Sequence, residues 1–231
     1  MLLLAIDTAT PTVSVAIGAD GSVLGEVRLT GGRRHAEQLA PAIEYLRREA
    51  GVDLAQLAAV AVGQGPGLFT GLRVGVTTAK VMAQALRIPV IGVPSLDLVA
   101  YPLRQSSRLI VAALDARRHE IFHARYRAVP GGVQRVSDYA VEPPADVVAD
   151  LAAGGEEVLL AGDGTVRYAA EFSELERAEP AGPGFDAPSP TALVELGTAR
   201  FEREEFTAPW DLRPLYLRES DAEIEWDRRA S

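Results

Sequence analysis

The chain has no cysteine among its 231 residues, only 3 histidines and only 2 tryptophans. Without thiols there is no disulfide framework, no cysteine-based zinc site and no thiol nucleophile, which suits a reducing compartment. Positive charge is short as well: 23 lysines and arginines stand against 32 aspartates and glutamates, a net charge of −9. Tight autonomous binding to nucleic acid rests on clustered cations that release counterions, so that class is disfavoured. The pairs Arg33-Arg34, Arg47-Arg48 and Arg117-Arg118 support solvated faces or contributory contacts and no more. Long apolar runs are missing too. No stretch approaches the roughly 18 residues of a membrane span, and the start MLLLAIDTAT reaches Asp7 with no basic segment before it. A cytoplasmic protein with no membrane partner is expected. Neither a G-x-S-x-G elbow nor an outstanding carboxylate pair occurs, so no self-contained hydrolase is visible.

What is present is ordinary globular material, 48% hydrophobic and 24% charged, enough for one large domain or two modest lobes. The opening reads as three strands: a buried run Leu2 to Ile6, alternation from Val13 to Ile17, the hairpin signal Asp20-Gly21, and alternation from Val23 to Leu29. Leu39, Ile43 and Leu46 share one face of a helix from His35 to Ala50 that Gly51 ends. A strand over 57–62, a helix over 70–86, a strand over 90–93 and a helix to about Leu103 capped by Ser95 follow. The pattern then restarts with a strand from Leu109 to Leu114 that ends on Asp115. Strands 120–126 and 133–141 come next, then a helix over 144–152, a strand over 157–160 and a last helix over 191–203. Residues 179–190, rich in proline, read as an ordered connector.

Several stretches carry candidate chemistry. Asp7-Thr8-Ala9-Thr10 leaves a buried strand into a turn, where a carboxylate and hydroxyls either hold magnesium or phosphate or simply satisfy the backbone. Asp115 is its candidate counterpart, and the two acidic turns facing one another would form a nucleotide cleft. The segment GQGPGLFTGLRVG, residues 63–75, has five glycines but fits neither the dinucleotide fingerprint nor the P-loop. It begins a stripe of small residues, Gly71, Gly75, Ala79 and Ala83, on one helical face. Small side chains at that spacing let a backbone approach closely, either within the lobe or from a second subunit. His119 and His123 have a metal-like spacing, but on a strand they stand about 13 Å apart, so solvated strand-face histidines are expected. His35 reads as a capping or surface residue.

Taken together, Asp7-Thr8-Ala9-Thr10, the run Gly65 to Gly75 and the run Ile88 to Asp97 resemble the bacterial TsaB (YeaZ) family. Similarity continues through Asp115-Ala116-Arg117-Arg118 and Pro214-Leu215-Tyr216-Leu217-Arg218. The resemblance implies an α/β, actin-like ATPase (ASKHA, ribonuclease H-like) fold with two lobes of mixed sheet and helices, the second reduced. The lobes would be 1–106 and 107–218, with a charged tail over 219–231. It also implies a non-catalytic dimerization subunit in making N6-threonylcarbamoyladenosine on tRNAs that read codons beginning with A. The implied partners are the paralogue TsaD, the small ATPase TsaE, and a second copy when the chain is alone, with tRNA met only through the complex. No cofactor is implied: ATP binding at Asp7, Thr8, Thr10 and Asp115, a degenerate nucleotide cleft, would be weak or absent. In TsaD two histidines hold a metal at positions that here are Ser95 and Val99, and neither side chain replaces an imidazole. By the same analogy the partner interface would take Gly71, Gly75, Ala79 and Ala83 with Leu39 and Ile43. The alternative is an independent enzyme of this fold, a magnesium-ATP phosphotransferase or acyltransferase built on Asp7 and Asp115.

Overall fold

The computed structural model describes residues 1–31 and 34–218. Arg33 of the first arginine pair and the charged tail 219–231 lie outside the described residues. A first sheet begins with the antiparallel meander β1 (Leu2–Asp7), β2 (Thr12–Ala19) and β3 (Ser22–Thr30). Two strands parallel to β1 extend it, β4 (Leu57–Gly63) and β5 (Val90–Val93), giving the order β3-β2-β1-β4-β5. Alternation along β1 serves both faces. Leu4 and Ile6 enter a core with Leu39, Ile43 and Leu46 of α1 (His35–Glu49) and Val76 of α2 (Phe69–Leu86). Leu3 and Ala5 enter another core on the opposite side.

The second sheet repeats the topology. Its meander is β6 (Leu109–Arg117), β7 (Glu120–Val129) and β8 (Gly132–Arg135), and β10 (Val158–Ala161) and β11 (Ala178–Pro180) run parallel to β6. The order β8-β7-β6-β10-β11 matches the first sheet strand for strand. The single strand expected over 133–141 is two: β8 stops at Arg135, and β9 (Ala140–Glu142) rejoins β7 at Ile121 to His123. Between them the Ser137 hydroxyl accepts from the Arg125 N–H over 2.9 Å, taking the ladder's donor and turning the chain off the edge. The connector over 179–190 starts inside β11, a strand too short to show periodicity.

Two helices exchange sheets. α3 (Ser95–Ala100), from the first half of the chain, packs Leu96, Val99 and Ala100 on Ile110, Ala112, Leu114 and Tyr126 of the second sheet. α4 (Pro144–Gly154), α5 (Asp163–Arg167) and α6 (Ala169–Phe172) follow in the second half. α7 (Pro190–Glu202) then returns to the first sheet, where Ala192, Leu193 and Val194 meet Leu3, Ala5, Ala16 and Ala61. The approach is close enough that a Cβ on Gly18 would stand 2.2 Å from Val194. The lobe assigned to 107–218 by chain order therefore surrenders α7 to the first sheet, because the apolar face of β1 and β4 needs a cover that the first half does not supply. Ser95 is likewise corrected: Pro94 precedes the helix as its cap residue, and Ser95 is its first residue with the hydroxyl turned inward.

The last described residues strap the lobes together. Thr207 and Val90 exchange backbone hydrogen bonds of 3.0 and 3.1 Å, and Lys80 donates to the Leu212 carbonyl over 3.1 Å. The Leu215 N–H reaches the Gln64 carbonyl over 2.6 Å, and the Tyr216 ring lies 5.1 Å from Phe69. Arg218 then crosses to the second lobe, donating to the Ala116 carbonyl over 2.9 Å and to Glu120. Among the described residues no helix is long and apolar enough to cross a membrane.

Candidate functional site

The turn at the end of β1 is the chemical centre of the first lobe, and the glycine segment is folded around it. Asp7 is 1% exposed. Its Oδ1 accepts from the Ala9 N–H over 3.0 Å and its Oδ2 from the Ser95 hydroxyl over 3.0 Å, while Ser95 Oγ accepts from the Gly65 N–H over 3.2 Å. Burial pushes the carboxyl up to about 6, only partly opposed by the hydrogen bonds from Ala9 and Ser95. Thr8 donates its hydroxyl to the Gly71 carbonyl over 2.7 Å. The Thr10 carbonyl meets His35 Nε2 at 2.8 Å, so His35 is a buried tie between α1 and the turn rather than a surface residue.

Four of the five glycines of 63–75 are explained by the same turn, while Gly65, at φ +100°, abuts the Leu215 carbonyl and Leu72. A Cβ at Gly63 would lie 1.7 Å from Asp7 Oδ2, at Gly67 2.4 Å from the Ala9 carbonyl, at Gly71 2.1 Å from the Thr8 carbonyl, and at Gly75 2.3 Å from Thr8 Oγ1. The absent side chains make room for backbone carbonyls and side-chain oxygens of the chain's own turn. This corrects the interface expected at Gly71, Gly75, Ala79 and Ala83, all buried within the first lobe. Ile43 is corrected too, since it sits in the core beneath the sheet, whereas Leu39 belongs to that core and also reaches the floor of the groove between α1 and α2. A helix face covered by its own sheet has no surface left for another subunit.

The opposite faces of α1 and α2 are open. Ala36, Leu39 and Ala40 of α1 and Phe69, Thr70, Arg73, Val74, Thr77 and Thr78 of α2 border a groove of about 490 Å³. Tyr45 and Val81 stand exposed on the outer sides of the two helices. Arg73 places its guanidinium 3.9 Å from the centre of the Phe69 ring, and Tyr216 packs on the same ring. The sequence carried a signal for this surface in the polar residues interleaved with the buried stripe, at Thr70, Arg73 and Thr77.

Asp115 stands at the end of β6 much as Asp7 stands at the end of β1. Its Oδ2 is held by Arg117 at 2.9 Å and Arg167 at 3.4 Å, and its Oδ1 accepts from the Arg117 N–H over 2.9 Å and the Tyr168 hydroxyl over 3.4 Å. Asp163 accepts from the Asp115 N–H over 3.0 Å, and burial pushes its carboxyl up to about 6. Each carboxylate thus has hydrogen-bonding partners within its own half of the chain.

The histidines separate. His119 lies in the turn between β6 and β7 with φ +60°, edge-on to Tyr168 and 3.5 Å from Glu171. His123 is buried in β7, its Nε2 3.0 Å from Glu142 and its Nδ1 without a partner among the described residues, and burial lowers its pKa. The expected solvated pair is corrected to one exposed turn residue and one interior one. Among the described residues no three histidines, cysteines or carboxylates gather as metal ligands. The donor set around α3 does not fit a metal either, because the Ser95 hydroxyl is spent on Asp7 and Val99 packs in the second-lobe core.

Comparison with known proteins completes the picture. A family model described as "TsaD: tRNA N6-adenosine threonylcarbamoyltransferase" matches residues 24–226. An uncharacterized protein of Mycobacterium tuberculosis is 40% identical, over 95% of this chain and 93% of its own. The tRNA threonylcarbamoyladenosine biosynthesis protein TsaB of Bacillus subtilis is 29% identical over 98% of both chains. The solved structure of YeaZ from Pseudomonas aeruginosa superposes with a TM-score of 0.80 at 30% identity, covering 94% of this chain and 99% of that one. With its two copies of one five-strand topology, the fold is that of the actin-like ATPases. The chain belongs to the TsaB (YeaZ) family, within the wider group matched by the transferase model.

Proposed function

We propose that this chain serves threonylcarbamoyladenosine biosynthesis on tRNA as a subunit with no chemistry of its own, which pairs with a TsaD-type transferase and holds it in its active form. The observation that carries this reading is the commitment of the Asp7 turn to internal bonds, next to an open groove between α1 and α2. Asp7 is sealed, the Thr8 hydroxyl is given to Gly71, and Ser95 is held between Asp7 and Gly65, so the turn offers a substrate no free donor or acceptor from these side chains. The groove, by contrast, presents Phe69, Arg73, Val74 and Thr77 on two rigid helices, the format in which helices dock on helices. Pairing then works as a coupling free energy: the subunit binds one transferase conformation better than another. TsaE joins that pair, tRNA is met only through the assembly, and in the absence of TsaD the same groove takes a second copy. A cytoplasmic setting accords with that role.

Reconstitution tests the reading. Unmodified tRNA, threonine, bicarbonate and ATP are incubated with TsaC, TsaD, TsaE and this chain, with single omissions. Loss of product on omitting either this chain or TsaD supports a required non-catalytic subunit; product formed without TsaD overturns it. Calorimetric titration of the isolated chain with magnesium-ATP is expected to give weak or no binding, and micromolar binding abolished by Asp7→Ala would move the assignment to an independent enzyme.

A further inference from the structure

A second groove, of about 530 Å³, lies where the last turn of α2 meets the segment 206–210. Ile88, Pro89, Phe206 and Trp210 line it, and Trp210 is 66% exposed, so much of the indole stands open to solvent. Cations gather at its edge. Arg87, which also lines the groove, is exposed at the C-terminal cap of α2. Two turns back, Lys80 Nζ donates to the Leu212 carbonyl over 3.1 Å, and Arg213 Nη1 donates to the same oxygen over 3.3 Å and to the Trp210 carbonyl. Two like charges thus share one carbonyl oxygen. Among the described residues no carboxylate pairs with Lys80, Arg87 or Arg213. α2 contains no acidic residue, and Asp211, the one carboxylate within 206–215, pairs with none of the three. Arginines of the second sheet are neutralised by contrast, Arg127 by Glu156 and Arg108 by Glu157 and Glu179.

Resting on the tRNA-pathway reading above, we infer that this groove binds single-stranded RNA, with a base stacked on Trp210 and the backbone phosphates running past Arg87, Lys80 and Arg213. Like charges held together repel, and an anion set between them relieves the repulsion. Lys80 and Arg87 are seven residues apart on α2, about 10 Å along its axis. Successive phosphates of a strand cover that span, and a single phosphate does not. A flat aromatic ring beside a cationic track is the arrangement that holds unpaired RNA without reading its sequence. An acidic peptide would use the cations but leave the indole unoccupied. In a chain of net charge −9 the contact is weak by itself, and it adds to an assembly that already holds the tRNA close by.

The test is fluorescence anisotropy of a labelled ten-residue oligouridylate titrated with the full chain at low salt, comparing wild type with Trp210→Ala, Trp210→Phe, Arg87→Ala and Arg127→Ala. Wild type is expected to bind with a dissociation constant on the order of 100 μM. Trp210→Ala should weaken binding about tenfold at an unchanged salt dependence, and Trp210→Phe should restore most of the loss, because stacking needs a ring and carries no charge. Arg87→Ala should instead lower the slope of log affinity against log salt by about 0.7, the signature of one lost phosphate contact. Arg127→Ala, whose charge is already neutralised, should change neither. No binding by wild type, or binding indifferent to both Trp210→Ala and Arg87→Ala, overturns the proposal. So does an equal affinity, with the same dependence on Trp210, for a ten-residue polyglutamate or for magnesium-ATP, which would make the groove a site for an acidic protein or for a free nucleotide. The titration uses the chain alone, so a reconstitution in which the chain proves dispensable would overturn the pairing reading without deciding this contact.

Discussion

Ser95 and Asp7, 88 positions apart in sequence, are joined by a 3.0 Å hydrogen bond in which the serine hydroxyl donates to Oδ2, and this bond closes the turn at the end of β1. Around it the Gly65 N–H, the Ala9 N–H and the Cβ-free surface of Gly63 complete a tight shell. A charged group so enclosed is costly, and its pKa records the cost.

That cost has a measurable sign. The folded carboxyl of Asp7 titrates near 6, above its ordinary value of 3.8, so the folded chain holds the proton more tightly than the unfolded one. Stability from this group is therefore full at low pH and is lost as pH rises through about 4 to 6. Urea unfolding of Asp7→Asn at pH 5 and pH 7 should show the variant gaining about 1 kcal/mol relative to wild type at the higher pH. A difference independent of pH would mean that Asp7 titrates normally. Asp163 falls in the same window and is present in both proteins, so it cancels in the comparison.

Gly75→Ala sets helix propensity against packing. Alanine favours a helix interior by about 1 kcal/mol over glycine, but its methyl group would stand 2.3 Å from Thr8 Oγ1 and push that hydroxyl off the Gly71 carbonyl. Overpacking and the displaced bond should win, for a net loss of about 1–3 kcal/mol. Thr77→Ala on the exposed face of the same helix should be neutral or slightly stabilising. Equal effects at the two positions in chemical denaturation would contradict the internal role of the stripe.

The terminal strap is expected to behave as a clasp. Arg218→Ala removes the donors to the Ala116 carbonyl and Glu120 and should cost about 1–2 kcal/mol. Hydrogen exchange should rise at the Leu215 amide, which bonds to Gln64, and at the β6–β7 turn, while the amides of β4 stay protected. Uniform acceleration throughout the chain would mean global loss of stability instead.

His123 titrates in the other direction from Asp7. Burial disfavours its charged form, partly offset by Glu142, so its folded pKa lies below 6.5. The unfolded chain then takes up the proton first, and the stability this residue contributes is full above about 6.5 and falls as pH drops. An NMR titration should find the His123 imidazole changing state below pH 6.5, and Glu142→Gln should move that midpoint further down. A midpoint for His123 at or above the free-imidazole value would be incompatible with the burial described.

The local elements were legible from residue order alone. Period-two alternation in β2 and β3, the 3.6-residue spacing of Leu39, Ile43 and Leu46, and Gly51 after α1 are short-range signals, because they depend only on side-chain direction and backbone freedom within a turn or two. The restart of the strand pattern at Leu109 announced the second sheet for the same reason. Long-range packing set the rest: which face of α2 looks inward, that α3 and α7 exchange sheets, and that Ser95 turns toward Asp7 instead of capping its helix. A stripe of small residues says that something comes close but not what, since Thr8 of the same chain and a helix of another present the same hard surface to a missing Cβ. The identity of the neighbour is set by chain topology, through contacts far apart in sequence that no local periodicity encodes.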